Sequence, residues 1–306
     1  MRSSGGLQNT LAVEKLSESV ADVCRRALEF DDVIALAHSN APGFRLVTHD
    51  VANSIQMYTA PVEASPIHMM KASVTMPCAP AAFLRYLDFD VRSLWDEHFI
   101  EGAVLEKFSS DDIALLQRRE TKTALQQQQT SATAVSKEGS SSGAVQTAWT
   151  APVTLQLKHV GFLSPVPLLT DRDFELVVAE SYDERRNIAV LKALSLPIGA
   201  IYPVKSSKYV RGLITLSGFI VSPVKYVDPV MDKEISGCSV TYIALVHPMG
   251  LIPAALVNIV VGKQTAGLLQ LQTFMRRNPI ATLPPKTLEV SKGRVMRRNA
   301  VHKSRL

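Results

Sequence analysis

Hydrophobic positions near the start of the chain fall on one stripe. Leu11, Leu16, Val20, Val23, Ala27, Phe30 and Ile34 recur mostly at three- and four-residue steps, which predicts one helix of roughly 25 residues. Asn40-Ala41-Pro42-Gly43 ends it. Three short segments of strand character follow, at 44–48, 55–59 and 67–76, joined by polar turns. Short spacing of that kind predicts an antiparallel meander. Ala79-Pro80 then opens a helix with Phe83, Leu84 and Leu87 on one side. Proline suits a first helical turn, where its missing N–H leaves no bond unmade.

Strand character returns at 104–108 and 113–117, and then the texture changes. Residues 118–150 carry a four-glutamine run at 126–129, a Ser/Thr/Ala stretch and Gly139-Ser140-Ser141-Ser142-Gly143. So few large apolar residues cannot offset the entropy of ordering, so the segment is expected to be a disordered insertion. Strand character resumes at 153–160, 174–180, 188–196, 210–221 and 238–246. A second long stripe starts at Pro253 and runs through Val257, Val260, Val261, Gln264, Leu268, Leu271 and Met275 until Asn278-Pro279 stops it. No βαβ alternation appears. The order predicts an α+β architecture in which a bent antiparallel sheet grips one long C-terminal helix and leaves an apolar tunnel between them. Residues 1–9 are expected to be loose, 10–278 to form the domain, and 279–306 to be a flexible tail.

Composition narrows the function. Hydrophobic residues make up 46% of 306, enough for a sizeable core. Cys24, Cys78 and Cys238 are too scattered for a disulfide framework and read as reduced thiols. The N-terminus has no secretory apolar region, and no apolar run reaches the ~18 residues of a membrane span. The chain is expected to be cytoplasmic, at most peripheral to membranes. Net charge is +5, yet from Arg276 onward nine Lys/Arg face one acid, a local +8 that leaves −3 for the rest. Such a tail attracts anionic lipid, nucleic acid or an acidic partner, or stays solvated without one.

Candidate chemistry is sparse. The seven histidines lack metal-ligand spacing, and no G-x-S-x-G elbow occurs. Gly262-Lys263-Gln264-Thr265 lacks the upstream glycine of a phosphate loop, Val257 standing there, and it sits inside the helical stripe. No catalytic residue, metal or cofactor is expected. Four segments in order carry a resemblance: Arg92-Ser93-Leu94-Trp95-Asp96; Asp171-Arg172-Asp173-Phe174; Tyr209-Val210-Arg211-Gly212 leading to Gly218-Phe219-Ile220-Val221-Ser222-Pro223; and Thr241-Tyr242 leading to Gly250-Leu251-Ile252-Pro253 and Leu256-Val257-Asn258. Together they resemble the START, or StAR-related lipid-transfer, family over roughly 10–278. The resemblance implies a helix-grip fold, a cavity for one lipid, a C-terminal helix acting as lid, and no catalysis. His247 stands where the family usually has an acid, and Phe44 where a tryptophan is common.

The resemblance also bears on the ligand. Its sterol-binding members pair a buried acid with an arginine at positions that fall here near His159 and at Val178, so that pair is expected to be missing. The Tyr86, Arg92 and Trp95 run instead resembles the phosphatidylcholine-transfer members, in which the arginine meets the lipid phosphate. A guanidinium fork suits that role; alternatively, Arg92 merely pairs with Asp88 or Asp96. Arg172 and Asp173 are expected to form a structural ion pair. Expected lipid-contacting residues are Tyr86, Arg92, Trp95, His159, Phe174, Val257, Val260, Val261, Leu268 and Leu271. Arg276, Arg277, Arg294, Arg297 and Arg298 are expected to dock on an anionic membrane. A phospholipid is expected over a sterol, and no nucleic acid. The rival readings are a lipid sensor that does not shuttle its ligand and a helix-grip enzyme.

Overall fold

The computed structural model describes residues 16–38, 41–63, 65–118, 149–164, 169–201, 208–228, 230–250, 252–253, 264–285 and 296–297. Of the insertion expected at 118–150, residues 119–148 lie outside them, whereas Trp149 packs against Phe30; 1–15 and 254–263, where the C-terminal helix was expected to start, also lie outside.

The frame is one large sheet. Its strands are β1 (Arg45–Asp50), β2 (Ile55–Val62), β3 (Ser65–Met76), β4 (Phe99–Lys107), β5 (Val153–Phe162), β6 (Arg172–Asp183), β7 (Ile188–Ser195), β8 (Val210–Arg211), β9 (Leu213–Asp228), β10 (Lys233–His247) and β11 (Met296–Arg297). Their spatial order is β1-β2-β3-β10-β9-β7-β6-β5-β4-β11, with β8 pairing beside β6. Pairs along this path are antiparallel; β8 with β6 is parallel. Register shifts interrupt β1–β2, β2–β3, β4–β5 and β9–β10. Bulges of that kind bend and twist a sheet, which lets it curl around a helix.

The outer face is covered by α1 (Glu18–Leu28) and α2 (Asp31–Ala37). They pack Val20, Val23, Cys24, Ala27, Phe30 and Val33 against Leu155, Leu157, Val177, Ala179 and Val190. One continuous helix was expected here, and the break has a cause far away in sequence. Lys192 of β7 is buried, and its ammonium donates to the carbonyls of Arg26 and Glu29, both at 2.7 Å, and to Asp32 at 2.7 and 2.8 Å. It satisfies the orphan carbonyls at the end of α1 and anchors the start of α2. Gly218 of β9 makes the approach possible. A Cβ there would lie 2.4 Å from Val33 Cγ2 and 2.9 Å from the Leu191 carbonyl.

A further helix, α5 (110–118), joins the same face where a strand was expected at 113–117. The cause is a reciprocal cap. The Ser109 hydroxyl accepts from the Asp112 amide at 3.2 Å, and Asp112 Oδ2 accepts from the Ser109 amide at 3.0 Å and its hydroxyl at 2.7 Å. Ile113 and Leu116, three apart, then bury on one helical face.

The inner face holds α3 (Pro80–Phe83), a 3-10 turn at Leu84–Leu87, α4 (Phe89–Trp95) and α6 (Gln264–Arg277). Leu268, Leu271 and Met275 of α6 bury against Ile55, Val74, Met76, Val221 and Val240. Gln272 is also buried, donating to the Thr75 carbonyl at 2.8 Å and the Asn53 carbonyl at 3.2 Å. After α6 the chain runs back over the 84–87 turn, where Arg85 donates to the Pro284 carbonyl. It then adds β11 at the β4 edge, where wholly flexible chain was expected.

Candidate functional site

Between the inner face of the sheet and the helices α4 and α6 lies a mostly apolar cavity of about 330 Å³. That is near the lower end of the ~300–1,000 Å³ of small-molecule sites. Strand alternation decides what faces it. On β6 the inward set is Arg172, Phe174, Leu176, Val178 and Glu180; on β5 it is Lys158, Val160 and Phe162. Leu268 and Leu271 close one side, and Phe219 and Tyr242, stacked at 4.5 Å, floor another. Burial pushes the Tyr242 phenol up, partly countered by its bond to the Ser217 hydroxyl.

Three charged arrangements interrupt the apolar wall. Arg92 of α4 donates from Nε to Asp96 Oδ2 at 2.8 Å, and its guanidinium carbon lies 4.8 Å from the Phe162 ring centre and 5.8 Å from that of Trp95. Lys158 and Glu180 form an ion pair at 2.9 Å, with side chains 12% and 17% exposed. A charge pair therefore does sit on the wall, close to the positions where none was expected, with acid and base exchanged between strands. The third is Arg172. Its Nε donates to the Pro248 carbonyl at 3.0 Å, Nη2 to the Met249 carbonyl at 3.3 Å, and Nη1 to the Thr170 carbonyl. Burial lowers its pKa, and the charge of nearby Asp171 opposes that. Met249 and Gly250 both take positive φ, 55° and 74°, so the arginine clasps a tight turn leading toward α6.

Arg172 and Asp173 do not pair. As neighbours on a strand they point to opposite faces. Asp173 turns outward, where Arg211 donates to it at 2.9 and 3.0 Å and His159 Nε2 lies 3.1 Å away. Burial opposes ionisation of Asp173, but those bonds outweigh it and bring its pKa down to about 2. Glu175 lies 2.9 Å from Arg211, yet burial still pushes its carboxyl up.

The other expected residues separate as follows. Arg92, Trp95, Phe174, Leu268 and Leu271 line the cavity. His159 faces the outer cluster instead. Tyr86 packs α3 and α4 against the end of α6, donating to the Asn278 carbonyl at 2.9 Å, and burial raises its phenol to about 12. Its own carbonyl accepts from Trp95 Nε1 at 2.9 Å, which fixes the indole at the cavity wall. Val257, Val260 and Val261 lie outside the described residues, as do Arg294 and Arg298. Arg297 sits on β11 opposite Glu101. Arg277 is exposed. Arg276 is engaged within the fold, with Asp228 at 3.4 Å and Gln272 Oε1 at 3.0 Å. Sequence reasoning missed Lys158, Glu180, Arg172, Asp96 and Tyr242 as wall residues. The β6 members were readable from strand parity with Phe174.

Among the described residues no His/Cys/Asp/Glu group could hold a metal, and no helix is long and apolar enough to cross a membrane. No family model and no curated protein matches the chain. Solved structures do. Human StAR-related lipid transfer protein 5 superposes with a TM-score of 0.57 at 12% identity, covering 85% of this chain and 99% of that one. Human STARD10 gives 0.54 at 15%, covering 82% and 79%. The human StarD13 lipid transfer and protein localization domain gives 0.50 at 15%, covering 76% and 88%. With its curved antiparallel sheet, outer helices and C-terminal helix laid across the inner face, the chain has the helix-grip fold of the StAR-related lipid transfer domains.

Proposed function

We propose that the protein holds one lipid in this cavity, a phospholipid in preference to a sterol, and carries it between membranes without altering it covalently. The observation that carries the reading is an apolar chamber with guanidinium and ammonium groups on its wall. Acyl chains gain about 0.8 kcal/mol per CH₂ on leaving water, and a bilayer offers nearly the same gain, so exchange between the two is close to neutral. The protein's contribution is to lower the barrier of crossing water. A phosphate offers several strong acceptors to arginine or lysine, whereas a sterol offers one hydroxyl.

Docking is assigned to the basic end of the chain. Arg277, on the last turn of α6, is free to meet an anionic surface, and Arg294, Arg297 and Arg298 follow it in sequence. Each basic group near such a surface contributes up to about 1 kcal/mol. The test is transfer between vesicles. Delipidated protein should move fluorescent phosphatidylcholine or phosphatidylglycerol faster than a fluorescent sterol. Binding without transfer would favour the sensor reading, and no binding of either would remove the lipid reading.

A further inference from the structure

The charges on the cavity wall do not balance. Among the described lining residues Arg92, Lys158 and Arg172 face only two carboxylates, Asp96 and Glu180. Arg92 is matched by Asp96 at 2.8 Å and Lys158 by Glu180 at 2.9 Å. Arg172 is not matched. Its bonds go to the main-chain carbonyls of Thr170, Pro248 and Met249. The adjacent Asp171 does not reach it within ion-pair distance and spends Oδ1 on the Ser164 amide at 2.9 Å. An arginine carries five N–H donors, and three are used here. Two remain for a ligand without any carbonyl having to let go.

We infer that Arg172 is the head-group reader of the cavity and selects a lipid whose head group carries net negative charge. The inference rests on the lipid-binding reading and adds the ligand's charge to it. A buried cation bonded to carbonyls, with its nearest carboxylate, Asp171, outside ion-pair distance, is the place where an anion gains most, because a charge-assisted bond is about twice as strong as a neutral one. At Arg92 and Lys158 the same anion meets a carboxylate already in place and is repelled by it. A zwitterionic head group leaves the wall with its surplus charge, whereas an anionic one neutralises it. Arg172 also holds the turn at 248–250, so one guanidinium joins the ligand's head to that turn. An occupied cavity therefore has a more firmly held turn than an empty one.

The experiment loads full-length, delipidated protein from vesicles containing phosphatidylcholine and phosphatidylglycerol in equal amounts. The complex is re-isolated and bound lipid is identified by native mass spectrometry. Both lipids share one bilayer, so docking by the basic tail cannot bias the choice. Both phosphates can bond Arg172, but the quaternary ammonium of phosphatidylcholine cancels the head group's charge, so phosphatidylglycerol should be recovered over phosphatidylcholine by about tenfold, or ~1.4 kcal/mol. Arg172→Gln should erase the preference, Arg172→Lys should keep part of it, and Arg26→Gln, on the outer helix α1, should leave it in place. Phosphatidylglycerol should also slow hydrogen exchange at 247–250 in the wild-type protein, and inorganic phosphate, which has no chain to bury, should displace neither lipid. Equal recovery of the two lipids by wild-type protein overturns the inference while leaving lipid binding intact, and needs no variant to fold. So does a preference that survives Arg172→Gln. Recovery of no lipid at all fails the parent reading instead.

Discussion

Replacing Glu180 by leucine removes one half of the charge pair on the cavity wall and leaves Lys158 without its carboxylate. Both side chains are mostly shielded, at 12% and 17% exposure. Breaking a fully buried pair costs about 3–5 kcal/mol. The cavity leaves these two some relaxation, so the expected cost is about 2–3 kcal/mol, or roughly 3–5 °C in Tm for a chain of this size. Lys158→Met alone should cost about 2 kcal/mol, since it leaves Glu180 without its cation. The double variant Lys158→Met/Glu180→Leu leaves no orphan charge and adds apolar contacts beside Phe89, whose ring centre is 5.8 Å from the Lys158 ammonium. It should lie within about 1 kcal/mol of wild type. Urea unfolding of the four proteins closes a double-mutant cycle with a coupling of about 3 kcal/mol. A double variant destabilised by the sum of the singles would refute the reasoning, because each residue would then be held by something other than its partner.

Gly218→Ala should cost about 1–3 kcal/mol through overpacking, since its Cβ would press on Val33 Cγ2 and the Leu191 carbonyl; adding Val33→Ala should recover only part, because the carbonyl stays. Asp173, with its folded-state pKa lowered to about 2 against about 3.9 unfolded, contributes stability above about pH 4 that is lost as pH falls toward 2. Asp173→Asn should flatten that part of an acid titration followed by circular dichroism, and an unchanged slope would count against the His159–Asp173–Arg211 cluster. Arg276→Gln should lower thermal stability, with about 1 kcal/mol at stake, and leave binding to anionic vesicles unchanged, whereas Arg277→Gln should weaken vesicle flotation at low salt and leave stability alone.

Most of the strand and helix pattern was legible because local periodicity carries it. What escaped depended on contacts distant in sequence or on one-residue parity. The break between α1 and α2 follows from Lys192, more than 160 positions away, and no local signal marks it. The helix at 110–118 was readable in Ser109 and Asp112, a reciprocal cap outweighing the alternation at 113–117. At the site, the acid position implied by the resemblance fell near His159, which faces outward, while its neighbour Lys158 faces the cavity. A shift of one residue exchanges faces. Glu180 shares the parity of Phe174 and was within reach. Its pairing with Lys158 needs the β5–β6 register, in which Lys158 stands opposite Leu176.

The central claim is that the chamber between sheet and C-terminal helix is the lipid site. Native mass spectrometry of delipidated protein, mixed with phospholipid vesicles and re-isolated, tests it most directly when wild type is compared with Ala193→Trp. Ala193 lines the cavity and is nearly buried, so an indole there fills space the ligand needs. Wild type should return with one phospholipid per chain, and a folded Ala193→Trp protein should return empty or nearly so. Equal loading of the two, or none on wild type, would contradict the account.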